Sequence, residues 1–322
     1  MRKSIFGILM ALGFWVCKIA WAETYVSGNV SGNWTTAGSP YIVTADATVQ
    51  NGTSLTIDPN VEVRFATNTS LICYGTLNAI GTPLGTITFT SDQAIHTPGH
   101  WKWIKLSGSG ANGSQIKYCD IGYAKQAACL ENASKIAITN NFIHDNKGDD
   151  GWVSQLQQTG CGIYLSNSNN SIIGTNTIKN NQGGQGGAGG WAGSGGSGGI
   201  GCGIYFSNSS NNTISGNTIS NSIGGQGGTG GNGGGSGGSG GIGIGICLSN
   251  STNNTILGNT ISNNPGGQGG SGFQGSSGGA SGQGYGIYIE PNSYNNTITI
   301  TNTYNTEPIH YYYNQSGITI ES

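Results

Sequence analysis

Side chains able to do acid–base chemistry are gathered in one short stretch of this sequence. Residues 144–152 read His-Asp-Asn-Lys-Gly-Asp-Asp-Gly-Trp, which is three carboxylates, one imidazole and one ammonium group within nine positions. Hydrolysis of a glycosidic bond needs two carboxyl groups at a fixed separation. If the protein is an enzyme, Asp145, Asp149 and Asp150 are therefore its candidate catalytic residues. Calcium or sugar binding by the same loop is an alternative, and a solvated loop is the simplest account.

The rest of the chain offers little more for catalysis. Lys and Glu side chains between residues 102 and 131 are a second possible source of acid–base groups. From residue 180 to residue 289 the sequence has no Asp, Glu, Lys, Arg or His. Because general acid–base catalysis needs such groups, we predict no catalytic site in that region and favour a protein without catalytic activity.

Composition excludes several classes of partner. Charged residues make up 7% of the 322 residues, against about 25% in an ordinary globular domain. The net charge is −2, so no basic surface is available for nucleic acid. No cysteine pair has the spacing of a zinc site, and we predict no metal or other cofactor, with calcium as the one alternative.

The N-terminus predicts export. Arg2 and Lys3 precede an apolar stretch at 5–16, and Ala20-Trp21-Ala22 supplies the small residues of a cleavage site. Residues 1–22 are thus predicted to be a signal peptide, and the apolar stretch is too short to span a membrane. We expect an extracellular or cell-surface protein, with the periplasm as the alternative. Six cysteines follow the signal; they are predicted to be small buried core residues, with disulfides as the alternative: Cys73, Cys119, Cys129, Cys161, Cys202 and Cys247.

A repeat of 41 or 42 residues dominates the second half of the chain. Its Gly-Ile-Tyr-Leu-Ser-Asn-Ser opening, at residue 162, returns at 203 and 245 and more loosely at 286. Each opening is followed by short Asn-Thr-Ile type stretches in which apolar and polar residues alternate, as they do in half-buried strands. Three short strands at constant phase predict one coil of a parallel β-solenoid. Stacked Asn side chains are expected at its turns, where Asp145 aligns with Asn180, Asn221 and Asn263 and is expected to take a ladder position. Four side chains are expected to point inward: Ile163, Leu165, Ile172 and Ile178.

These coils resemble the NosD-like, pectin-lyase-type right-handed parallel β-helix. The resemblance covers about residues 30–305 and includes the earlier segments Leu55-Thr56-Ile57-Asp58-Pro59 and Val61-Glu62-Val63-Arg64-Phe65. It implies an all-β, single-chain right-handed solenoid: an entry module and first coils at 23–126, repeat coils at 127–305 and a C-terminal cap at 306–322. Lyases of this fold generally use an Arg or Lys base with acidic calcium ligands, and the central coils have neither.

Three glycine-rich inserts separate the coils, at about 182–201, 223–244 and 265–285. Each begins with Gly-Gly-Gln-Gly-Gly and continues in triplets. A flexible loop is one interpretation, because glycine loses much entropy on ordering. The other is a bundle of extended three-residue-per-turn helices, since stacked coils would hold the inserts one rung apart.

Two tryptophans in consecutive corner loops, Trp152 and Trp191, are candidate carbohydrate-binding residues. The sequence as a whole favours a non-catalytic, exported scaffold with an adhesive or carbohydrate-binding role, whose partners are polysaccharides or cell-surface or matrix components. A polysaccharide lyase or glycoside hydrolase is the alternative. Ice or mineral binding is a third hypothesis, based on outward Thr columns such as Thr213/Thr255/Thr297 and Thr218/Thr260.

Overall fold

A computed structural model describes residues 23–151 and 158–309 of the chain, and almost all of their regular structure is extended. The predicted signal peptide, Trp152 and most of the predicted cap (310–322) lie outside the described residues. The first coils contain β1 (Thr24–Asn29), β2 (Gly32–Trp34), β3 (Tyr41–Val49), β4 (Ser54–Ile57), β5 (Glu62–Phe65), β6 (Leu71–Cys73), β7 (Thr76–Ile80), β8 (Ile87–Ser91), β9 (Ile104–Ser107), β10 (Gln115–Lys117) and β11 (Cys119–Gly122). Two single-turn 3₁₀ helices occupy Thr36–Gly38 and Ser109–Ala111.

The later coils repeat one arrangement of a longer strand followed by two short ones. They contain β12 (Gln126–Glu131), β13 (Ala137–Thr139), β14 (Phe142–His144), β15 (Gly160–Ser166), β16 (Ile172–Gly174), β17 (Thr177–Lys179), β18 (Gly201–Ser207), β19 (Thr213–Ser215), β20 (Thr218–Ser220), β21 (Gly243–Ser249), β22 (Thr255–Leu257), β23 (Thr260–Ser262), β24 (Gly284–Ile289), β25 (Thr297–Ile298), β26 (Thr303–Tyr304) and β27 (Glu307–Pro308).

The strands stack into three parallel faces, as the repeat predicts. Face A is formed by β6, β9, β12, β15, β18, β21 and β24; face B by β2, β4, β7, β10, β13, β16, β19, β22 and β25. Face C is formed by β5, β8, β11, β14, β17, β20, β23 and β26, while β1 and β3 run through both C and A. Only β27 pairs antiparallel, with β26, among the described strands. The molecule is an all-β right-handed parallel β-helix.

The core is a set of side-chain columns along the solenoid. Ile163, Leu165 and Ile178 are fully buried, as predicted, and their equivalents in neighbouring coils stack on them. The prediction for Ile172 is wrong: this side chain is 52% exposed, and Ile173 is buried in its place. Alternation along a strand sends neighbours to opposite sides, so a shift of one residue reverses the face. Each buried aliphatic side chain contributes about 1.5–3 kcal/mol.

Asparagine ladders fix the turns, which confirms their prediction. At the corner between faces B and C, each buried amide donates from Nδ2 to the Oδ1 of the next coil at 2.9 Å. The members of this ladder are Asn141, Asn176, Asn217, Asn259 and Asn302. The six cysteines from Cys73 to Cys247 are buried free thiols, which confirms their predicted burial.

The three glycine inserts leave at the corner between faces C and A and form an ordered, two-layered slab. Each insert runs outward from the solenoid, turns and runs back, reaching face A at Gly201, Gly243 and Gly284, slightly earlier than the sequence suggested. Outward legs bond to outward legs and return legs to return legs, through every third residue, at 2.8–3.0 Å. Hydrogen bonds between the two layers complete the slab, each from a backbone N–H to a carbonyl oxygen at 2.8 Å. The donor and acceptor pairs are Gly199 and Gly184, Gly196 and Gly187, Gly225 and Gly199, and Gly228 and Gly196.

Glycine is required in the slab because neighbouring backbones are in van der Waals contact. A Cβ on Gly228 would lie 2.0 Å from the carbonyl oxygen of Gly187. A Cβ on Gly195 would lie 2.0 Å from the carbonyl oxygen of Gly228. The third position of each triplet faces outward and carries Gln, Ala, Thr or Ser, which are exposed at Gln185, Thr229 and Ser197. The inserts are therefore the packed extended bundle rather than the flexible loops.

Candidate functional site

A cleft of about 200 Å³ lies on the outer surface of face A, across β9, β12 and β15. It combines aromatic rings with ammonium and carboxylate groups from three successive coils. The side chains that line it are Lys102, Trp103, Lys105, Lys125, Gln126, Cys129, Glu131, Asp149, Tyr164 and Ser166. The mixture of flat apolar surfaces and a few fixed polar groups is typical of ligand-binding sites.

Strand alternation places these side chains on the outside. In β9, β12 and β15 the buried leucines Leu106, Leu130 and Leu165 point into the core. Their neighbours therefore point outward, and the parallel register aligns Lys105, Cys129 and Tyr164 in one column. Rungs about 4.7–4.9 Å apart bring the three side chains into contact range.

Ion pairs hold the charged groups of the cleft. Lys105 Nζ contacts the carboxylate of Glu131, and Lys125 Nζ lies 2.7 Å from Asp149 Oδ1. Lys102 is the most loosely held, with its Nζ 3.8 Å from Asp46 Oδ2. Lys105 also lies over the ring of Trp103, with Nζ 5.7 Å from the ring centroid, within the range of a cation–π interaction.

The titratable groups of the column all keep their protons at neutral pH. Burial lowers the pKa of Lys105, but its hydrogen bond to Glu131 and nearby negative charge raise that pKa by more, above its ordinary value. Burial raises the pKa of the Tyr164 hydroxyl to about 12 and that of the Cys129 thiol to about 12. A general base needs a pKa near the working pH, so these three groups suit binding rather than proton abstraction.

An aromatic row continues the cleft along face A. The rings of Tyr164 and Tyr205 stack with centroids 5.5 Å apart, and the same column continues through Cys247 to Tyr288. These residues pack around the buried Cys161 and Cys202, beneath the return legs of the glycine inserts at Ile200 and Ile242. The slab thus forms one wall beside the row.

A second polar cluster lies on face C, around His144. Its Nδ1 is 2.7 Å from Asp145 Oδ2 and its Nε2 is 2.8 Å from Asp120 Oδ1. Burial lowers the pKa of His144, but the hydrogen bonds to Asp120 and Asp145 raise it overall. Both ring nitrogens can donate only when the imidazole is protonated, so the pair of carboxylates holds an imidazolium.

The structure separates the three aspartates that the sequence groups together. Asp145 occupies the expected ladder position, since Asn180 Nδ2 donates to its Oδ1 at 3.0 Å. Asp149 lines the cleft. Asp150 pairs with Lys147 at 2.7 Å and accepts from the Gln185 backbone N–H. Of the three aspartates, only Asp149 lines the cleft.

Only one of the two tryptophan candidates lies within the described residues. Trp152 lies outside the described residues, and Trp191 is 80% exposed at the tip of the first glycine insert. Sequence reasoning did not single out Trp103 or Tyr164. Tyr164 could have been found from its outward position in the alternating pattern of its strand, and Trp103 from its place among the charged residues of 102–131.

Two expectations stay as predictions. The Thr columns at 213, 255 and 297 and at 218 and 260 are in register, which no finding connects to ice or mineral binding. Calcium binding is equally untested; within 23–151 and 158–309, no group of three or more His, Cys, Asp or Glu is arranged to hold a metal ion. Over the same residues, no helix has the length and apolarity that a membrane crossing requires.

The family comparison agrees with this architecture. The model described as "Right handed beta helix region" matches residues 100–322. The chain belongs to this right-handed β-helix family. The comparison with curated proteins finds no match.

Solved structures with a similar fold are distant. The periplasmic alginate epimerase AlgG is 14% identical, with a TM-score of 0.36 over 81% of this chain and 84% of that one. An alginate lyase from Paenibacillus sp. str. FPU-7 is 14% identical, with a TM-score of 0.29 over 78% of this chain and 92% of the lyase. The Dettilon tailspike protein is 14% identical, with a TM-score of 0.27 over 72% of this chain and 48% of the tailspike. Similarity at this level does not bear on activity.

Proposed function

We propose that the protein is an exported, non-catalytic β-helix scaffold that binds an acidic polysaccharide in the cleft on face A. The observation that carries the proposal is the combination of Trp103 and Tyr164 with three lysines in one cleft. Aromatic rings offer flat apolar surfaces to sugar rings. Ammonium groups form strong charge-assisted hydrogen bonds with sugar carboxylates.

One loosely paired lysine in the cleft favours an acidic ligand. Lys105 and Lys125 are closely paired with Glu131 and Asp149. Lys102 has only a long contact to Asp46, at 3.8 Å, so it is the cation most available to a ligand. The aromatic row beyond Tyr164 gives a longer chain a surface on which to continue.

Binding without cleavage is favoured because the acid–base groups are already engaged. Glu131 and Asp149 are each paired with a lysine, and Lys105 stays protonated because its pKa is raised. A proton-abstracting lysine would need the opposite shift. Export rests on the predicted signal peptide at 1–22.

A carbohydrate-active enzyme is the second candidate. The presence of Glu131 and Asp149 in the same cleft favours it, since glycoside hydrolysis uses two carboxyl groups. This candidate would use Asp149 but neither Asp145 nor Asp150 in this cleft.

One experiment separates the two functions. The chain from residue 23 onward is run in native gels containing polygalacturonate, alginate or a neutral glucan, and the same polymers are assayed for reducing ends and unsaturated products. We expect an acidic polymer to slow the migration of the protein, added salt to weaken this effect, and no reducing ends or unsaturated products to form. Product formation that is lost in Glu131→Gln would establish the enzyme instead, and no retardation by either acidic polymer would reject the proposed ligand class.

A further inference from the structure

The tips of the glycine inserts form a narrow ridge far from the solenoid. The first outward leg, residues 183–190, extends about 25 Å at about 3.1 Å per residue. It ends at Trp191, and the tips of the next two inserts carry Asn232 and Phe273. Parallel stacking places the three tips one rung apart, so the ridge is about 10 Å long.

Contacts between the tips fix the ridge. The Gly233 N–H donates to the carbonyl oxygen of Trp191, and the Phe273 N–H donates to that of Gly235 at 3.1 Å. Ser276 Oγ donates to the carbonyl oxygen of Gly234 at 2.6 Å. The indole of Trp191 lies against Gly233, where a Cβ would be 2.8 Å from Nε1.

Trp191 differs from the other tryptophans that the structure describes. It is 80% exposed, whereas Trp34 and Trp101 are buried and Trp103 is partly buried. An exposed aromatic ring on a rigid support favours ligand binding, because covering the ring buries apolar surface and few groups of the protein lose entropy by becoming ordered. We propose that this ridge is a second binding site, which takes a neutral oligosaccharide chain.

The chemistry of the ridge selects that ligand class. The nearest charged residues in the sequence are Lys179 and Glu290, both outside the inserts. Nucleic acids and anionic membranes need basic residues for binding, and the tips have none. Asn232 and Gln274 are exposed amides beside the rings, and these can exchange hydrogen bonds with sugar hydroxyls.

The size of the ridge favours a sugar over a protein. A stable protein interface buries about 800 Å² on each partner, which a ridge about 10 Å long and one insert wide does not offer. One sugar ring can cover the indole, and a chain can run from Trp191 toward Phe273. The site is independent of the cleft on face A, whose ligand is proposed to be acidic.

Calorimetry with defined oligosaccharides tests the ridge. The probes are hexasaccharides of β-1,4-glucose, β-1,4-mannose and β-1,4-N-acetylglucosamine, with hexagalacturonate as the acidic comparison. We expect a neutral probe to bind, and its Kd to rise at least tenfold in Trp191→Ala and in Gly233→Ala, which displaces the indole. Leu84→Ala, at an exposed apolar side chain outside the ridge, is the control and should leave the Kd unchanged.

The outcomes separate the ridge from the cleft. Loss of neutral-sugar binding in Trp103→Ala but not in Trp191→Ala would contradict the ridge and leave the cleft standing. Binding of none of the three neutral probes would also overturn the proposal. If the chain binds cells through Trp191 in a manner abolished by protease but not by periodate, the ridge binds protein and the proposed ligand class is wrong.

Discussion

At the residue scale, two clusters of ionisable side chains lie on different faces of the solenoid. The cleft on face A holds Lys102, Lys105, Lys125, Glu131 and Asp149. Face C holds the imidazolium of His144 between two carboxylates. The side chains of the first group are 15–41% exposed and line a cleft, whereas the side chain of His144 is 12% exposed. We therefore propose a binding role for the first cluster and a stabilising role for the second.

The stability of the protein should depend on the charge of His144. Its folded-state pKa is raised by Asp120 and Asp145, so its contribution is complete below the unfolded pKa of about 6.5. The contribution is lost as the pH rises through the folded-state pKa. We expect the melting temperature to fall with pH above about 6.5, less steeply in His144→Gln. Equal slopes in the two proteins, measured calorimetrically, would contradict this role.

Residue-level prediction from sequence succeeded where the repeat supplied a register. Asp145 was expected in a ladder because it aligns with Asn180, and the structure confirms the contact. Ile172 was misassigned because Ile172 and Ile173 are both apolar, so the pattern did not fix the phase of that strand. The Lys and Glu side chains of 102–131 were named as possible acid–base groups, but their cleft with Trp103 and Tyr164 was not predicted, because three coils meet there only through the register of face A.

At the scale of elements, the slab is the unusual feature of this β-helix. Its legs have almost no side chains to pack, so it is held by backbone hydrogen bonds that recur every third residue. Glycine removes the steric barrier to such close approach but adds an entropic cost of ordering. Attachment of each insert to a stacked coil offsets part of that cost, because the legs are already held one rung apart.

A methyl group inside the slab should disrupt it. In Gly228→Ala the new Cβ would lie 2.0 Å from the carbonyl oxygen of Gly187, and overpacking of this kind costs about 1–3 kcal/mol. We expect faster amide exchange at Gly186, Gly189 and their partners. Gly190→Ala is the matched control, because its Cβ would meet nothing within 4 Å. Equal exchange rates in the two variants would show that the slab is not packed in this way.

At the scale of the whole molecule, the solenoid is one-dimensional. Each coil packs against its two neighbours through the same columns and ladders, so its stability approximates a sum over coils and interfaces. The sequence predicted this architecture because the strand pattern and the turn residues repeat at one phase. That phase also predicted where the inserts leave the solenoid, but it did not decide whether they are ordered or flexible.

Removal of one whole repeat should preserve the fold. Deleting residues 203–244 joins Cys202 to Gly245, and Gly245 begins the same repeat opening as Gly203. The columns then stay in register, so we expect a folded, cooperatively melting chain of lower stability. Deleting only 213–223 removes β19 and β20 but leaves β18, so it breaks the phase and should prevent folding. Circular dichroism during heating measures both, and equal behaviour of the two deletions would contradict a modular solenoid.

The most direct test of the account is the affinity of the cleft for an acidic sugar chain. Isothermal titration of hexagalacturonate is compared between the chain from residue 23 onward, Trp103→Ala, Lys102→Gln and the control Leu84→Ala. We predict binding that weakens at least tenfold in Trp103→Ala, as expected for a central aromatic contact, and that becomes less salt-dependent in Lys102→Gln. The control should bind like the parent chain. No binding, or binding unchanged in both cleft variants, would contradict a glycan-binding cleft on face A.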